Sequence, residues 1–315
     1  MAPCANPSQR HTIAVLGGTS RFGAPYIRTF MDQGLRVRIL ARSPVPVRRR
    51  FPAADVRRGN MLNRSDVEQA LNGTEAAFLI TPVGGNDDIQ IELRAVRCTI
   101  AAAKAVRLLH LIYLSLIQPL RPAGIPMLDV KGRIERLLVT GSVPFSILRT
   151  GCYMDTWLSF FPLAMNLGLY LMPIGPRHRF SFTAQQDVAR LAVALMRRHQ
   201  VLNAGIDVID PQPRSLIDVV KLYQAVKGKR LIPLGPWLLP VVTLLRPVLF
   251  RWAYPSGASR VRLFHYFNEN DWIGDARQLT AVMPEFRVTS MRDFLRERYR
   301  DGGKVVVKRG QLTRP

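Results

Sequence analysis

The stretch GGTSRFG at residues 17 to 23 gathers small and hydroxyl-bearing side chains at a spacing that can hold a pyrophosphate. It follows Thr12 to Leu16, a short apolar run of the kind that makes a strand buried on both faces of a parallel sheet. Gly17 can take backbone angles closed to other residues, Gly18 and Thr19 continue the turn, and Gly23 lets the next helix lie close against the strand. A helix that starts there points N–H groups and the positive end of its dipole outward, toward an anion. The spacing is that of a dinucleotide fingerprint whose middle glycine is replaced by Ser20, a small residue whose hydroxyl can donate to phosphate. Taken alone, the glycines also describe a tight turn that binds nothing. Arg42 weighs against that reading. It ends the second strand, Val37 to Ala41, where an NAD-preferring site carries Asp or Glu on the ribose hydroxyls. An arginine there, with Arg21 on the other side, suits the 2′-phosphate of NADP, so NADP is expected over NAD.

The elements that must position these residues alternate. Asp55 to Gly59 reads as a third strand, with Asn60 and Met61 just past it, beside the place where an adenine would lie. Ser65 to Leu71 reads as a helix capped by Ser65, with Glu68 three residues on as a capping box. Ala76 to Ile80 is a fourth buried strand, ended by Thr81 and Pro82. A long helix from about 88 to 105 places Ile89, Leu93, Val96 and Ile100 on one face, and Leu109 to Leu114 is the fifth strand with Ser115 at its carboxyl end. Leu128 to Thr140 is a helix and Pro144 to Leu148 the sixth strand. Such alternation is the signature of a doubly wound α/β sheet of Rossmann type, which binds ligands at the carboxyl ends of its strands. Beyond it, Phe180 to Thr183, Gln185 to His199, Ile206 to Ile209, Ser215 to Val226 and Met291 to Tyr299 are expected to extend the sheet edge and build a smaller C-terminal substrate lobe. The expected organisation is a flexible leader at 1–11, a dinucleotide-binding domain at 12–150, the last sheet elements interleaved with the lobe at 151–300, and a mobile basic tail at 301–315.

Composition narrows the class. The 315 residues are 48% hydrophobic and carry a formal charge of +23, from 45 basic and 22 acidic side chains. That content suits a folded chain with a large core, and the charge raises anionic partners. The basic residues are scattered between apolar stretches without the aromatic interleaving of a nucleic-acid platform, so nucleic acid is not the expected partner. Three widely spaced cysteines, Cys4, Cys98 and Cys152, suggest neither a disulfide framework nor a metal site, and a reducing, cytoplasmic setting fits. Residues 156–176 and 231–250 are apolar but broken by prolines, which favours pocket lining over a membrane span; Trp237 and Trp252 with nearby arginines leave peripheral membrane contact as an alternative.

Several stretches together resemble the NmrA-like family of atypical short-chain dehydrogenases/reductases, which includes isoflavone-reductase-like enzymes and quinone reductases. They are GGTSRFG at 17–23, Ala41-Arg42-Ser43, GNMLNRSDVEQAL at 59–71, LIYLSLI at 111–117 and KGRIERLLVTGSVPFSILRTGCYMD at 131–155. The resemblance implies a Rossmann fold holding NADP(H) or NAD(H). It assigns Gly17, Thr19, Arg21, Phe22 and Gly23 to the pyrophosphate, Arg42 to the 2′-phosphate, and Asn60 and Met61 to the adenine. Thr81, Pro82 and Ser115 fall on the ribose and nicotinamide side, and Lys131 matches the lysine that binds the nicotinamide ribose and supports proton transfer. One departure matters: the Tyr that short-chain reductases place four residues before this Lys is Met127 here.

Without that phenol, a simple carbonyl lacks an obvious general acid. Lys131 is the first candidate, since a buried ammonium loses charge more readily; from spacing alone it also reads as a lysine on a helix surface. Tyr153, after the sixth strand, is a second candidate donor, whereas Tyr113 inside a strand reads as core. His110 and His178 read as structural or solvent-exposed, and Cys152 as a poor nucleophile. The expected function is reduction of a quinone-like or unsaturated carbonyl compound by NADPH, with a small apolar substrate. The alternatives are a non-catalytic nucleotide-binding redox sensor and an accessory or assembly factor at a membrane complex.

Overall fold

The computed structural model describes residues 11–19, 23–81, 89–119, 124–159, 168–171, 177–228, 230–234 and 257–299. The leader, the tail and most of the apolar stretches 156–176 and 231–250 lie outside them.

Alternating apolar side chains build the centre. Strand β1 (Thr12–Leu16) sends Ile13 and Val15 into one hydrophobic core and Ala14 and Leu16 into another, the period of two that a strand buried on both faces requires. It is joined by β2 (Arg36–Ala41), β3 (Asp55–Arg58), β4 (Ala76–Ile80), β5 (His110–Leu116), β6 (Phe145–Thr150) and, from later in the chain, β11 (Gly205–Val208). All seven run parallel in the order β3-β2-β1-β4-β5-β6-β11. The order reverses between β1 and β4, so a crevice opens above their carboxyl ends, between the glycine turn and Thr81. This is the doubly wound Rossmann architecture that the alternation implied.

Helix α1 (Gly23–Asp32) and α7 (Gln185–Arg197) pack together over one face. There Tyr26, Ile27, Phe30, Val188 and Leu191 meet the strand side chains Ile13, Val15 and Phe78. Helices α3 (Arg64–Leu71), α4 (Ile89–Ala105) and α5 (Pro126–Thr140) cover the other, where Val67, Val96 and Ile134 pack on Leu16, Leu79 and Tyr113.

Three local readings change. Helix α3 begins at Arg64, capped by Asn63, whose side chain accepts from the Ser65 amide; Glu68 turns instead to Arg64, at 2.6 Å. An Asx side chain at the true boundary outcompetes the serine two residues later, because only the residue just before the first turn can reach those amides. Strand β5 runs on to Leu116, which puts Ser115 inside the strand. Finally, α2 (Pro44–Arg50) is a helix not expected from the sequence: Pro44 sits at the helix start, where its missing N–H costs nothing.

The smaller C-terminal lobe is pinned by short pairings. Strand β7 (Cys152–Tyr153) runs parallel to β10 (Phe182–Thr183), β9 (Arg179–Phe180) antiparallel to β12 (Arg214–Ser215), and β8 (Leu169–Leu171) parallel to β13 (Ile232–Leu234). With α6 (Met154–Ser159), α8 (Leu216–Lys227), α9 (Gly257–Glu269) and α11 (Met291–Tyr299), they enclose a third core of Phe180, Phe182, Leu216, Trp272, Met291 and Leu295, while α10 (Arg277–Val282) sends Leu279 into the first core beside β11. Ser215 caps α8 in a full capping box with Asp218. Among the described residues no helix is long and apolar enough to cross a membrane.

Candidate functional site

The glycine turn has the shape its sequence required. Gly17 has φ +78°, and a Cβ there would stand 1.9 Å from the Ile80 carbonyl oxygen at the end of β4. A Cβ on Gly18 would meet Val15 Cγ1 at 2.5 Å, and one on Gly23 would meet the Gly18 carbonyl oxygen at 2.3 Å. Only glycine fits at these three places, which lets α1 start hard against the end of β1 with no acidic side chain in its first turn. This cradle fits a pyrophosphate. Thr19 is exposed beside it, while Ser20, Arg21 and Phe22 lie outside the described residues, as does Pro82.

One end of the crevice is open and cationic. Arg42 directly follows β2, and Arg58 is the last residue of β3, paired in register with Ala41. Both line a cavity of about 350 Å³ together with Gly59, Asn60 and Asp66. The Asn60 amide donates to Asp66 Oδ2 at 2.8 Å and its side chain accepts from the Leu62 amide, fixing the loop; Met61 is half-buried against the α3–α4 core. Arg58 joins the residues expected from the sequence. Its signal was the basic pair Arg57-Arg58 immediately before Gly59-Asn60.

The other end is more closed, and its candidate side chains have partners. Lys131 is 1% exposed, which overturns the reading of a lysine on a helix surface. Its Nζ donates to Thr81 Oγ1 at 2.5 Å and to Glu92 Oε2 at 3.4 Å, and it lies 5.8 Å from the centre of the Tyr113 ring. Burial lowers the Lys131 pKa from its ordinary value, and the Glu92 carboxylate opposes that shift. The Tyr113 hydroxyl touches the same Thr81 oxygen at 3.2 Å, so the phenol read as core shares a partner with the lysine. Burial pushes that phenol well above its usual range and keeps it protonated. Met127 falls in the first turn of α5.

Tyr153 is held differently. Its hydroxyl bonds Tyr26 of α1 at 2.7 Å and accepts from Thr150 at 3.3 Å, and burial raises its pKa. It therefore leans on the layer of α1 and α7, whereas Lys131 belongs to the layer of α4 and α5. Ser115 is also committed: its Oγ donates to Glu135 Oε1 at 2.6 Å. Glu135 in turn takes a two-pronged bond from Arg149, at 2.7 Å at its shortest, and Arg149 lies 3.9 Å from Asp207 on β11. Glu92 and Glu135 went unnoticed in the sequence. Their signal was a carboxylate on an otherwise apolar helical face, at i−4 from Val96 for Glu92.

His110 is buried on Ser146, and burial lowers its pKa to about 4; His178 pairs with exposed Asp271. Cys152 is buried, and among the described residues no His, Cys, Asp and Glu group could hold a metal ion.

Solved structures that share this fold include proteins in complex with NADPH or NADP. The photosystem II assembly factor Ycf39 of Synechocystis is 20% identical, covering 95% of this chain and 93% of that protein. A (4-alkanoyl-5-oxo-2,5-dihydrofuran-3-yl)methyl phosphate reductase of Streptomyces griseus is 30% identical over 58% of this chain and 62% of its own length. Among solved structures, the NADPH-dependent quinone oxidoreductase of Escherichia coli in complex with NADPH superposes with a TM-score of 0.73, at 17% identity, over 91% of this chain and 99% of that one. The model of the NmrA-like family matches residues 9–233, and the chain belongs to that family.

Proposed function

We propose that the protein is an NADPH-dependent reductase of a quinone-like or unsaturated carbonyl compound. The observation that carries this reading is the buried Lys131 ammonium, held by Thr81 at the carboxyl end of the sheet beside a glycine turn that leaves no room for a Cβ. A charge kept in an apolar layer costs several kcal/mol, so it persists where it has work to do.

In this reading the backbone of Gly17, Gly18, Thr19 and Gly23, with Ser20, Arg21 and Phe22, holds the pyrophosphate. Arg42 meets the 2′-phosphate, Asn60 and Met61 flank the adenine, and Thr81, Pro82 and Ser115 line the nicotinamide side. NADPH supplies the reducing equivalent when bound, and the protein supplies position and polarity. Lys131 orients the ribose and, with its lowered proton affinity, feeds a proton toward the acceptor; Tyr153 is the second donor in this scheme. Met127 in place of the usual phenol favours acceptors that solvent can protonate after reduction. The Streptomyces reductase and the Escherichia coli quinone oxidoreductase lend support, as each acts on a compound with such an acceptor.

A second reading, an accessory or assembly factor that retains the nucleotide site, draws on the Ycf39 relative, which spans nearly the whole chain. Stopped-flow oxidation of NADPH by a panel of small quinones separates the two. Reduction that disappears in Lys131→Met supports the enzyme; nucleotide binding without oxidation by any acceptor supports the accessory role.

A further inference from the structure

The arginines on and just past β2 and β3 are not equivalent. Asp55, the one acidic residue on these two strands, is shared by Arg38 at 2.8 Å and Arg57 at 2.7 Å. Arg42 and Arg58, further toward the carboxyl ends, have no carboxylate within 4 Å among the described residues. They are exposed, they sit on neighbouring strands brought level by the Ala41–Arg58 register, and they line the same cavity. The acid in that cavity, Asp66, is bound to the Asn60 amide.

We propose that Arg58 and Arg42 together form a two-guanidinium seat for the ribose 2′-phosphate, with Arg58 a specificity-determining residue in its own right. This rests on the cofactor reading above. A phosphate monoester is close to a dianion at neutral pH, and two planar guanidinium groups approaching from adjacent strands match its charge and its several acceptor oxygens. A ribose hydroxyl, by contrast, calls for a carboxylate at the end of β2, and Arg42 stands there instead. Gly59 keeps the floor of the seat low: a Cβ there would meet Leu40 Cδ1 at 2.7 Å and Asp66 Cβ at 2.8 Å.

The test is calorimetric titration of the full chain with NADPH, NADH and adenosine 2′,5′-bisphosphate, in the wild type, Arg58→Ala, Arg58→Lys and Arg42→Ala. Loss of one charge-assisted contact corresponds to about tenfold or more in affinity. Arg58→Ala is therefore expected to lower the NADPH-to-NADH affinity ratio about tenfold, to weaken the bisphosphate by a similar factor, and Arg58→Lys to recover part of both. A ratio unchanged in Arg58→Ala while Arg42→Ala lowers it overturns the proposal, as does an equal loss for both dinucleotides. The bisphosphate keeps the test independent of the reductase reading. Should neither dinucleotide bind, that reading fails, yet bisphosphate binding lost in Arg58→Ala still supports the seat, and no bisphosphate binding in the wild type overturns it.

Discussion

The two ends of the strand crevice are built on opposite principles. At the β2–β3 end, Arg42 and Arg58 are exposed cations with no carboxylate within 4 Å among the described residues, in an open cavity. At the β4–β5–β6 end, every polar group named is answered, Lys131 by Thr81 and Glu92, Ser115 by Glu135, Glu135 by Arg149 and Tyr153 by Tyr26, and all but half-buried Tyr153 and Arg149 are buried. An exposed, uncommitted charge is ready for a ligand and contributes little to folding, because water already solvates it. A buried, committed one is held in place by its neighbours, and removing any partner strands the rest. Substitutions at the first end should therefore move affinity, and those at the second should move stability as well.

The largest effect is expected at Glu135. Glu135→Ala leaves Arg149 and Ser115 without their shared acceptor in a nearly closed site, and a broken buried pair costs about 3–5 kcal/mol. Urea denaturation monitored by circular dichroism measures it, and a loss under 1 kcal/mol would show that water replaces the carboxylate and that this end is less closed than described.

His110 sets the scale for a buried group that has only a neutral partner, Ser146. Its folded pKa of about 4 lies below the ordinary value of 6.5, so between those pH values the unfolded chain binds a proton that the folded one refuses. Stability contributed by neutral His110 is thus present above about pH 6.5 and is lost as pH falls toward 4, by up to about 3 kcal/mol. Unfolding free energies at several pH values should fall less steeply on acidification in His110→Gln than in the wild type. Parallel slopes would remove His110 as the cause.

Gly17→Ala combines a positive φ with a collision against the Ile80 carbonyl, and is expected to cost about 2 kcal/mol or more and to abolish nucleotide binding. Thermal unfolding with and without NADPH reads both. Asn63→Ala, which removes a helix cap remote from the chemistry, should cost about 1 kcal/mol and leave nucleotide affinity intact. The smallest stability effect is expected for Arg42→Ala, within about 0.5 kcal/mol of the wild type, in contrast to its effect on NADPH.

What the sequence disclosed follows the same division. The open end was legible because its residues are local: a glycine turn, an arginine one step past a strand and an Asn-Met pair all declare themselves within a few positions. Strand β4 and helix α11 match their expected bounds residue for residue, since an unbroken apolar run and a clean amphipathic period have few competing registers. The buried end was legible only in part. Lys131 was found through the resemblance, yet its burial depends on Glu92 and Thr81, 39 and 50 residues away. The chain from Ser115 to Asp207 likewise joins residues on three strands and a helix, and spacing holds no trace of it. Helix α2 was hidden for a different reason: proline breaks a helix interior but starts one well, and position within the element decides which. Helix α9 was missed as well, because its stretch shows only a weak amphipathic pattern.

The most direct test of the two-ended site is the affinity of the wild-type protein for NADPH and NADH, measured by calorimetry under one buffer and salt condition. One site per chain and tighter binding of NADPH are expected, a preference that Arg42→Asp reverses or removes while Lys131→Ala retains it. Preference for NADH, or no heat of binding with either nucleotide, would contradict it.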